Sequence, residues 1–502
     1  MSAAEPPPLT PREAERVFRR GYDAIAARYI EPVRMSVVTL EGLKGLSALD
    51  PGTSFTIEGR KLLVRAADEV VGAFDIPEDD DVAGWARLTV EASMAERQSL
   101  PPRSPADAEK VYKAVFEAEL AHLDSFSRYA GAEAARDNRA LRNGYGGIGV
   151  RHKPVDTGIE IVAVVAGSPA AGAHIEVGDV ITHIDGQPCA GLPVRDIVHR
   201  LRGDLDSEVV VTVVHKGSPT PVKIALSRML IVPETVTMTI AGDIAVMRIS
   251  SFNQRTAVAA ATELRRAARR KDLKGMVLDL RGNPGGLLDQ AVAVSDLFLA
   301  RGGIVSTRGR HPEAIQSYSA NEGDIGESIP LVVLVDGRSA SSAEIVAASL
   351  QDNRRAVVVG TTSYGKGTVQ TVIHLPNDGE LTLTWSRFYS PAGYALHGLG
   401  VLPSVCIVDQ KADAAAVAEA VRAGAGPDPA VVARWRTTPV QDKEARERLR
   451  EACPPARHDD AAIDLEVARR LLDDRALHTR ALAALPQTAA RASEFVSVVG
   501  HR

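Results

Sequence analysis

The chain has 502 residues, a net charge of −5 at pH 7 and 25% charged positions of mixed sign, which is room for about three domains with their own cores and no footprint for nucleic acid. No apolar run approaches the ~20 residues of a membrane span, and the start, Met1 to Pro8, lacks the basic-then-apolar pattern of a signal peptide. Cys189, Cys406 and Cys453 are too few and too scattered for a disulfide framework or a zinc site.

Residues 1–135 read as a mostly helical region, of a kind that serves packing or a homodimer contact more often than chemistry. Thr10-Pro11-Arg12-Glu13 is a capping box with proline at the first helical position, and Val17, Ala24, Ile25 and Tyr29 follow at helical spacing. Ser54 to Val64 reads as a hairpin, while Glu78 to Asp81 and Pro101-Pro102 mark loops. Leu49-Asp50 with Ser54-Phe55 echoes Leu123-Asp124 with Ser127-Arg128-Tyr129.

Residues 144–230 change to short β-rich runs with one helix. A glycine-rich turn, Gly144 to Val150, precedes strands near Ile159 to Val165 and Val180 to Ile184, a helix from Val194 to Leu201 and a strand from Val209 to His215. This order, with Gly178-Asp179-Val180-Ile181 and Ile184-Asp185-Gly186, resembles a PDZ domain. A glycine-rich turn before a strand exposes N–H groups that can nest a peptide's terminal carboxylate while the peptide adds as a further strand. Gly147, Ile148 and Gly149 are the candidates for that contact; the plainer alternative is that the glycines only permit a tight turn.

Residues 235–408 read as an α/β domain. Buried strands at Ile244 to Ile249 and Met276 to Leu280 flank a helix from Thr256 to Arg270, and the second ends in Arg281-Gly282-Asn283-Pro284-Gly285-Gly286 before a new helix. Further on, a strand from Leu331 to Val335, a serine-rich turn, a helix to about Asp352, a strand from Ala356 to Val359 and a glycine-flanked Lys366 form a β-α-β unit. Such crossovers join parallel strands of one sheet, so Ser339, Ser341 and Ser342 and, 25 residues beyond Ser341, Lys366 meet at the carboxyl-end rim where α/β proteins place ligands.

A serine hydroxyl is a weak nucleophile until a base takes its proton, and a lysine serves when desolvation lowers its pKa. Lys366 has small neighbours and no carboxylate within its own loop. N–H groups of Gly285 or Gly286, with that of Ser342 at the helix start, can form an oxyanion hole. Together these suggest acyl transfer. Plainer readings stand beside this one: Ser341 with Glu344 fits a capping box, Ser339 can be the cap instead, and Lys366 fits a solvated loop lysine. Asp279, Asp289 and Glu344 read as caps or salt-bridge partners.

Three sharper rivals fail on pattern. Gly360 to Lys366 matches a P-loop, yet Gly367 stands where magnesium needs Ser or Thr, and Thr368 to His374 looks like a strand where a P-loop opens a helix. His311, His374 and His397 are available for a Ser-His-Asp arrangement, but Gly337 to Ser341 lacks the Gly-x-Ser-x-Gly elbow. No His-Glu-x-x-His helix offers zinc.

The run Gly337 to Ile345 with Tyr364 to Gln370 resembles the active site of the carboxyl-terminal processing (tail-specific) proteases, PDZ-containing serine peptidases of the S41 type. The resemblance implies Ser341 as nucleophile, Lys366 as general base and Gln370 as the residue that orients the lysine; Ala343 stands where many relatives have a further serine. The Arg281 to Gly286 turn, the segment from Leu123 to Tyr129, and the closing Ser390 to Pro403 region also resemble the family, so the likeness runs from about residue 123 to 408. It implies a PDZ domain that binds substrate C-termini or gates activity, protein or peptide substrates with accessible C-termini, no metal or cofactor, and a periplasmic or envelope location. Residues 410–502 read as a helical tail broken at Pro427-Asp428-Pro429 and Pro454-Pro455, with an apolar stripe from Ile463 to Leu472 suited to core packing or a partner helix.

The expectation is therefore a multidomain α/β chain with a helical N-terminal region, a PDZ domain, a catalytic domain with a mainly parallel sheet and a helical tail. Its activity is that of a Ser-Lys endopeptidase. A PDZ-containing peptide-binding scaffold without turnover and a nucleotide-binding enzyme are the alternatives.

Overall fold

The computed structural model describes residues 10–67, 69–98, 108–321, 325–326, 329–458 and 462–485; Pro101-Pro102 lies outside the described residues. The chain divides into two compact units, one made of Asp137–Thr235 with Phe252–Thr256 and the other of the remainder.

The larger unit is built on a six-stranded sheet in the order Val236–Ala241, Ile244–Ile249, Gly275–Asp279, Leu331–Val335, Ala356–Gly360, Val405–Cys406. The first pair is antiparallel and every other pair is parallel. The three central strands are buried along their whole length, which is why they read as unbroken apolar runs. One face packs on tail helices Ala414–Arg422, Ala462–Asp473 and Arg475–Ala483 through Val332, Leu334, Val357, Val467, Leu471 and Leu477. The stripe from Ile463 to Leu472 is thus core, as its spacing suggested. The helix Ser342–Asp352 is buried from Ser342 to Gln351.

A second sheet runs Gln316–Ser319, Gly303–Arg308, Glu380–Tyr389, Thr368–His374, with Arg128–Ala130 also paired to Glu380–Tyr389. Its last two long strands form the hairpin expected at Asn377 to Gly379, with Asp378 at φ 61. Helices Pro11–Arg28, Met35–Lys44, Val82–Gln98 and Ala108–Leu123 pack on this sheet, Phe18, Tyr22, Trp85 and Phe116 sharing one core with Ile373, Leu381 and Leu383. The N-terminal hairpin carries a third strand, Glu69–Asp75, that the residue pattern did not predict. It is only half-buried and contains Gly72, where a Cβ would stand 2.7 Å from the Phe74 ring, so neither alternation nor side-chain bulk announced it.

The smaller unit has a five-strand path, Pro221–Ser227, Glu208–Val214, Val180–Ile184, Gly158–Val164, Val150–Val155, and one substantial helix, Val194–Leu201. Ile159, Ile161, Ile181, Ile197, Val211 and Val213 form its core. Val150–Val155 is an edge strand, which is where Pro154 is tolerated.

One expectation is corrected outright: Cys406 and Cys453 form a disulfide, with Cα atoms 6.0 Å apart and a sequence separation of 47. Spacing could not disclose it, because an edge strand and a tail turn bring the two together only in three dimensions.

Candidate active site

Leu331–Val335 and Ala356–Gly360 lie side by side and parallel, Val335 opposite Gly360, and Gly275–Asp279 flanks the first strand in the same direction. Three turns therefore leave one rim: the glycine loop after Asp279, the serine turn after Val335 and the lysine loop after Gly360.

The serine turn is held by Asp336. Its buried carboxylate accepts the N–H groups of Gly282 at 2.8 Å, Arg338 at 3.0 Å, Ser339 at 3.1 Å and His458 at 3.2 Å. Burial pushes this carboxyl up, but the backbone donors and Arg338 outweigh it and hold it below its usual pKa. Ser339 is fully buried and donates its hydroxyl to the Leu280 carbonyl at 2.8 Å, so it ties the turn to the glycine loop and does not cap the helix. The N-cap is Ser341, at φ 55 and ψ −114. Ordinary caps are extended; a non-glycine residue held in the left-handed half costs roughly 1–3 kcal/mol and marks positions where geometry serves something besides the helix.

The glycine loop presses on that serine. A Cβ at Gly285 would stand 2.7 Å from Ser341 Cβ and 3.0 Å from the Ser342 nitrogen, and its φ of 99 also requires glycine. Ser342 Oγ donates to the Gly286 carbonyl at 3.0 Å, locking the two turns together. Gly285 gives its own N–H to Asn283 Oδ1 at 2.8 Å, whereas the N–H of Ser342 has no acceptor among the described residues.

Lys366 is half-buried, its Nζ 5.4 Å from the centre of the Phe126 ring. Burial lowers its pKa below the ordinary lysine value, Arg128 lowers it further, and Glu344 and Asp124 oppose. The loop contains no carboxylate of its own, as expected, yet tertiary contacts bring these two from elsewhere, and burial outweighs them. Among the described residues no hydrogen bond joins the side chains of Lys366 and Ser341. Gln370 donates to Thr368 Oγ1 at 2.8 Å and to Thr384 Oγ1 at 3.4 Å, and makes no bond to Lys366 among the described residues.

Glu344 is the residue whose importance the sequence understated. Fully buried, it accepts the N–H of Ser341 at 2.7 Å, the Ser363 hydroxyl at 2.6 Å, and the N–H groups of Gly365 at 2.6 Å and Lys366 at 2.9 Å. Burial raises its pKa while these four donors favour the carboxylate. The capping signal was legible; that the same carboxylate carries the backbone of the lysine was not. Asp279 behaves as expected, paired with Arg248 and Arg281.

None of His311, His374 and His397 bonds to Ser341 among the described residues. Thr368–His374 is a strand, not the helix a P-loop requires. A cleft of about 830 Å³ lies elsewhere, lined by Glu13, Arg16, Glu109, Lys113 and Arg136 among others, and mixes both charge signs. In the smaller unit, Gly147 closes a short strand, Ile148 is buried and Gly149 sits at φ 81, where a Cβ would meet Ser168 Cβ at 2.2 Å.

The profile of peptidase family S41 matches residues 243–407 and that of the PDZ domain residues 146–226. The "Carboxy-terminal-processing protease" of Bartonella bacilliformis is 38% identical over 305 residues, 60% of this chain and 70% of that one. The "Probable CtpA-like serine protease" of Staphylococcus aureus is 32% identical over 308 residues, 60% of this chain and 61% of that one. A solved photosystem II D1 C-terminal processing protease is 24% identical, covers 80% of this chain and 94% of its own, and overlays with a TM-score of 0.41. With both domain types in place and a relative this similar over most of its length, the chain belongs to the carboxy-terminal-processing proteases, PDZ-bearing peptidases of family S41.

Proposed function

We propose that this chain is a serine endopeptidase that cuts protein or peptide substrates near their C-termini through a Ser341-Lys366 dyad. Lys366 takes the proton from Ser341 Oγ as that oxygen attacks the scissile carbonyl carbon. The N–H groups of Ser342 and Gly286 hold the oxyanion, and the lysine then protonates the leaving amine. The neutral lysine next activates water, which hydrolyses the acyl-enzyme and restores Ser341. The scheme calls on no metal or cofactor.

The observation that carries this reading is the Glu344 carboxylate, which accepts the N–H of Ser341 and the N–H of Lys366 and so fixes a strained serine and a desolvated lysine on one rim. Gln370 enters as a support for the lysine-bearing hairpin through Thr368 and Thr384. In the PDZ unit, the edge strand Val150–Val155 with the Gly147 to Gly149 turn suits a substrate C-terminus added as a further strand. A disulfide is characteristic of compartments outside the cytoplasm, so Cys406 and Cys453 favour the envelope.

The test is labelling with a serine-directed phosphonate probe and location of the adduct by mass spectrometry. The adduct belongs on Ser341, and Ser341→Ala and Lys366→Ala should each abolish peptide cleavage in a folded protein. A folded chain that resists the probe and functions unchanged as Ser341→Ala would instead be a peptide-binding scaffold.

A further inference from the structure

The lysine loop is not held by the catalytic sheet alone. Beyond the region matched by the S41 profile, the tail helix Lys443–Arg450 lies against it. Arg450 donates from Nη1 to the Leu399 carbonyl at 2.7 Å and from Nη2 to the Ser363 carbonyl at 3.0 Å. One turn earlier, Arg446, only 3% exposed, donates to the carbonyls of Ala395 at 3.0 Å, Thr438 at 2.6 Å and Pro439 at 2.9 Å, and also to that of His397. A buried and a half-buried guanidinium thus take the carbonyls of Ala395, His397 and Leu399 in the loop of residues 395–400.

That loop is packed onto both neighbours of Lys366. A Cβ at Gly367 would stand 1.9 Å from the His397 nitrogen, and one at Gly365 would stand 2.8 Å from Arg450 Nη1. Gly398 donates its N–H to the Gly365 carbonyl at 2.9 Å, and Val401 donates its own to Ser363 Oγ at 2.8 Å, the same hydroxyl that reaches Glu344. Just past the helix, Cys453 is bonded to Cys406 at the sheet edge, and Ala456 accepts the Gly337 N–H at 2.7 Å. The helix is therefore anchored at one end to the sheet and grips the lysine loop along its side.

We propose that Arg450 is a positioning residue for Lys366: its guanidinium, carried on the disulfide-anchored tail helix, fixes the loop of residues 363–367 against residues 395–400 and keeps the lysine desolvated beside Ser341. The proposal rests on the dyad reading. Burial in this loop is the first cause of the lowered Lys366 pKa, with Arg128 acting in the same sense and Glu344 and Asp124 against it. Loosening the loop hydrates the amine and returns it toward the ordinary lysine range. A base must be neutral to work, so the acidic limb of the rate profile then moves to higher pH.

The experiment compares the full chain with Arg450→Met, Arg450→Lys and Cys453→Ser in peptide hydrolysis across pH, with circular dichroism as the fold check. Arg450→Met is expected to lower kcat at least tenfold with KM little changed and to move the acidic limb up by half a pH unit or more. Arg450→Lys, which keeps the charge and part of the donor set, is expected to fall between the two, and its rate and limb decide the matter if the methionine variant does not fold. Cys453→Ser is expected to move rate and limb in the same direction by less. A folded Arg450→Met or Arg450→Lys with the parent kcat and limb overturns the proposal. Lys366→Ala, run alongside, separates the two readings: if it retains turnover, the dyad falls and this proposal with it, whereas an inactive Lys366→Ala beside an unperturbed Arg450→Met removes only the role of Arg450.

Discussion

The two carboxylate oxygens of Glu344 accept from four donors, a demand that only a carboxylate meets. Glutamine offers one acceptor oxygen and turns an NH₂ toward backbone N–H groups, and buried donors left unpaired cost about 1–3 kcal/mol each. Glu344→Gln is expected to lower kcat by roughly a hundredfold, the rate equivalent of about 2.7 kcal/mol, measured on protein shown to be folded. Gly285→Ala meets both a left-handed backbone and Ser341 Cβ 2.7 Å away, so it should abolish phosphonate labelling of Ser341 even where the sheet persists. Arg128 lowers the Lys366 pKa; its removal raises that pKa, and since the proposed base works as the neutral amine, Arg128→Met should shift the acidic limb of the pH–rate profile upward. At this scale the β-α-β spacing brought Ser341 and Lys366 to one rim, and the family resemblance supplied the nucleophile and base roles proposed for them. The sequence could not name Glu344 as their common anchor, Asp124 and Phe126 as neighbours of the lysine, or Asn283 as the acceptor of the Gly285 N–H, because each depends on how the chain folds around it.

The elements whose signal is local were legible: the apolar runs of the parallel strands, the helix opened by Ser341 and Glu344, the hairpin at Asn377 to Gly379. Those defined by a partner were not. Val236–Ala241 is placed as the sheet's edge strand by its antiparallel pairing with Ile244–Ile249, and Glu69–Asp75 exists as a strand through its pairing with Lys61–Ala66. The Cys406–Cys453 link belongs here too. It closes 47 residues, for which loop-closure entropy gives about 4 kcal/mol of stabilisation. Scanning calorimetry of the protein with and without reductant should show a lower unfolding temperature for the reduced form, and Cys453→Ser should reproduce it without reductant.

At the level of the whole molecule, the proposed function gives each of the two units a different recognition task. Edge-strand addition with a nest for the terminal carboxylate predicts that a peptide with a free C-terminus binds the full chain about tenfold or more tighter than its amidated twin, since hydrogen bonds to a charged group are worth about 1.5–3 kcal/mol. Calorimetric titration of the pair decides it, and equal affinities would remove the carboxylate nest. The sequence by itself determined the β-rich and α/β segments, the parallel sheet and the two side chains proposed to react, because strand periodicity, crossover length and residue chemistry are properties of contiguous stretches. Only the tertiary structure decided how the lysine is desolvated and held. The groups responsible, Glu344, Phe126, Arg446, Arg450 and the cystine, lie up to hundreds of residues apart, and a buried hydrogen bond has a partner only once the chain has folded around it.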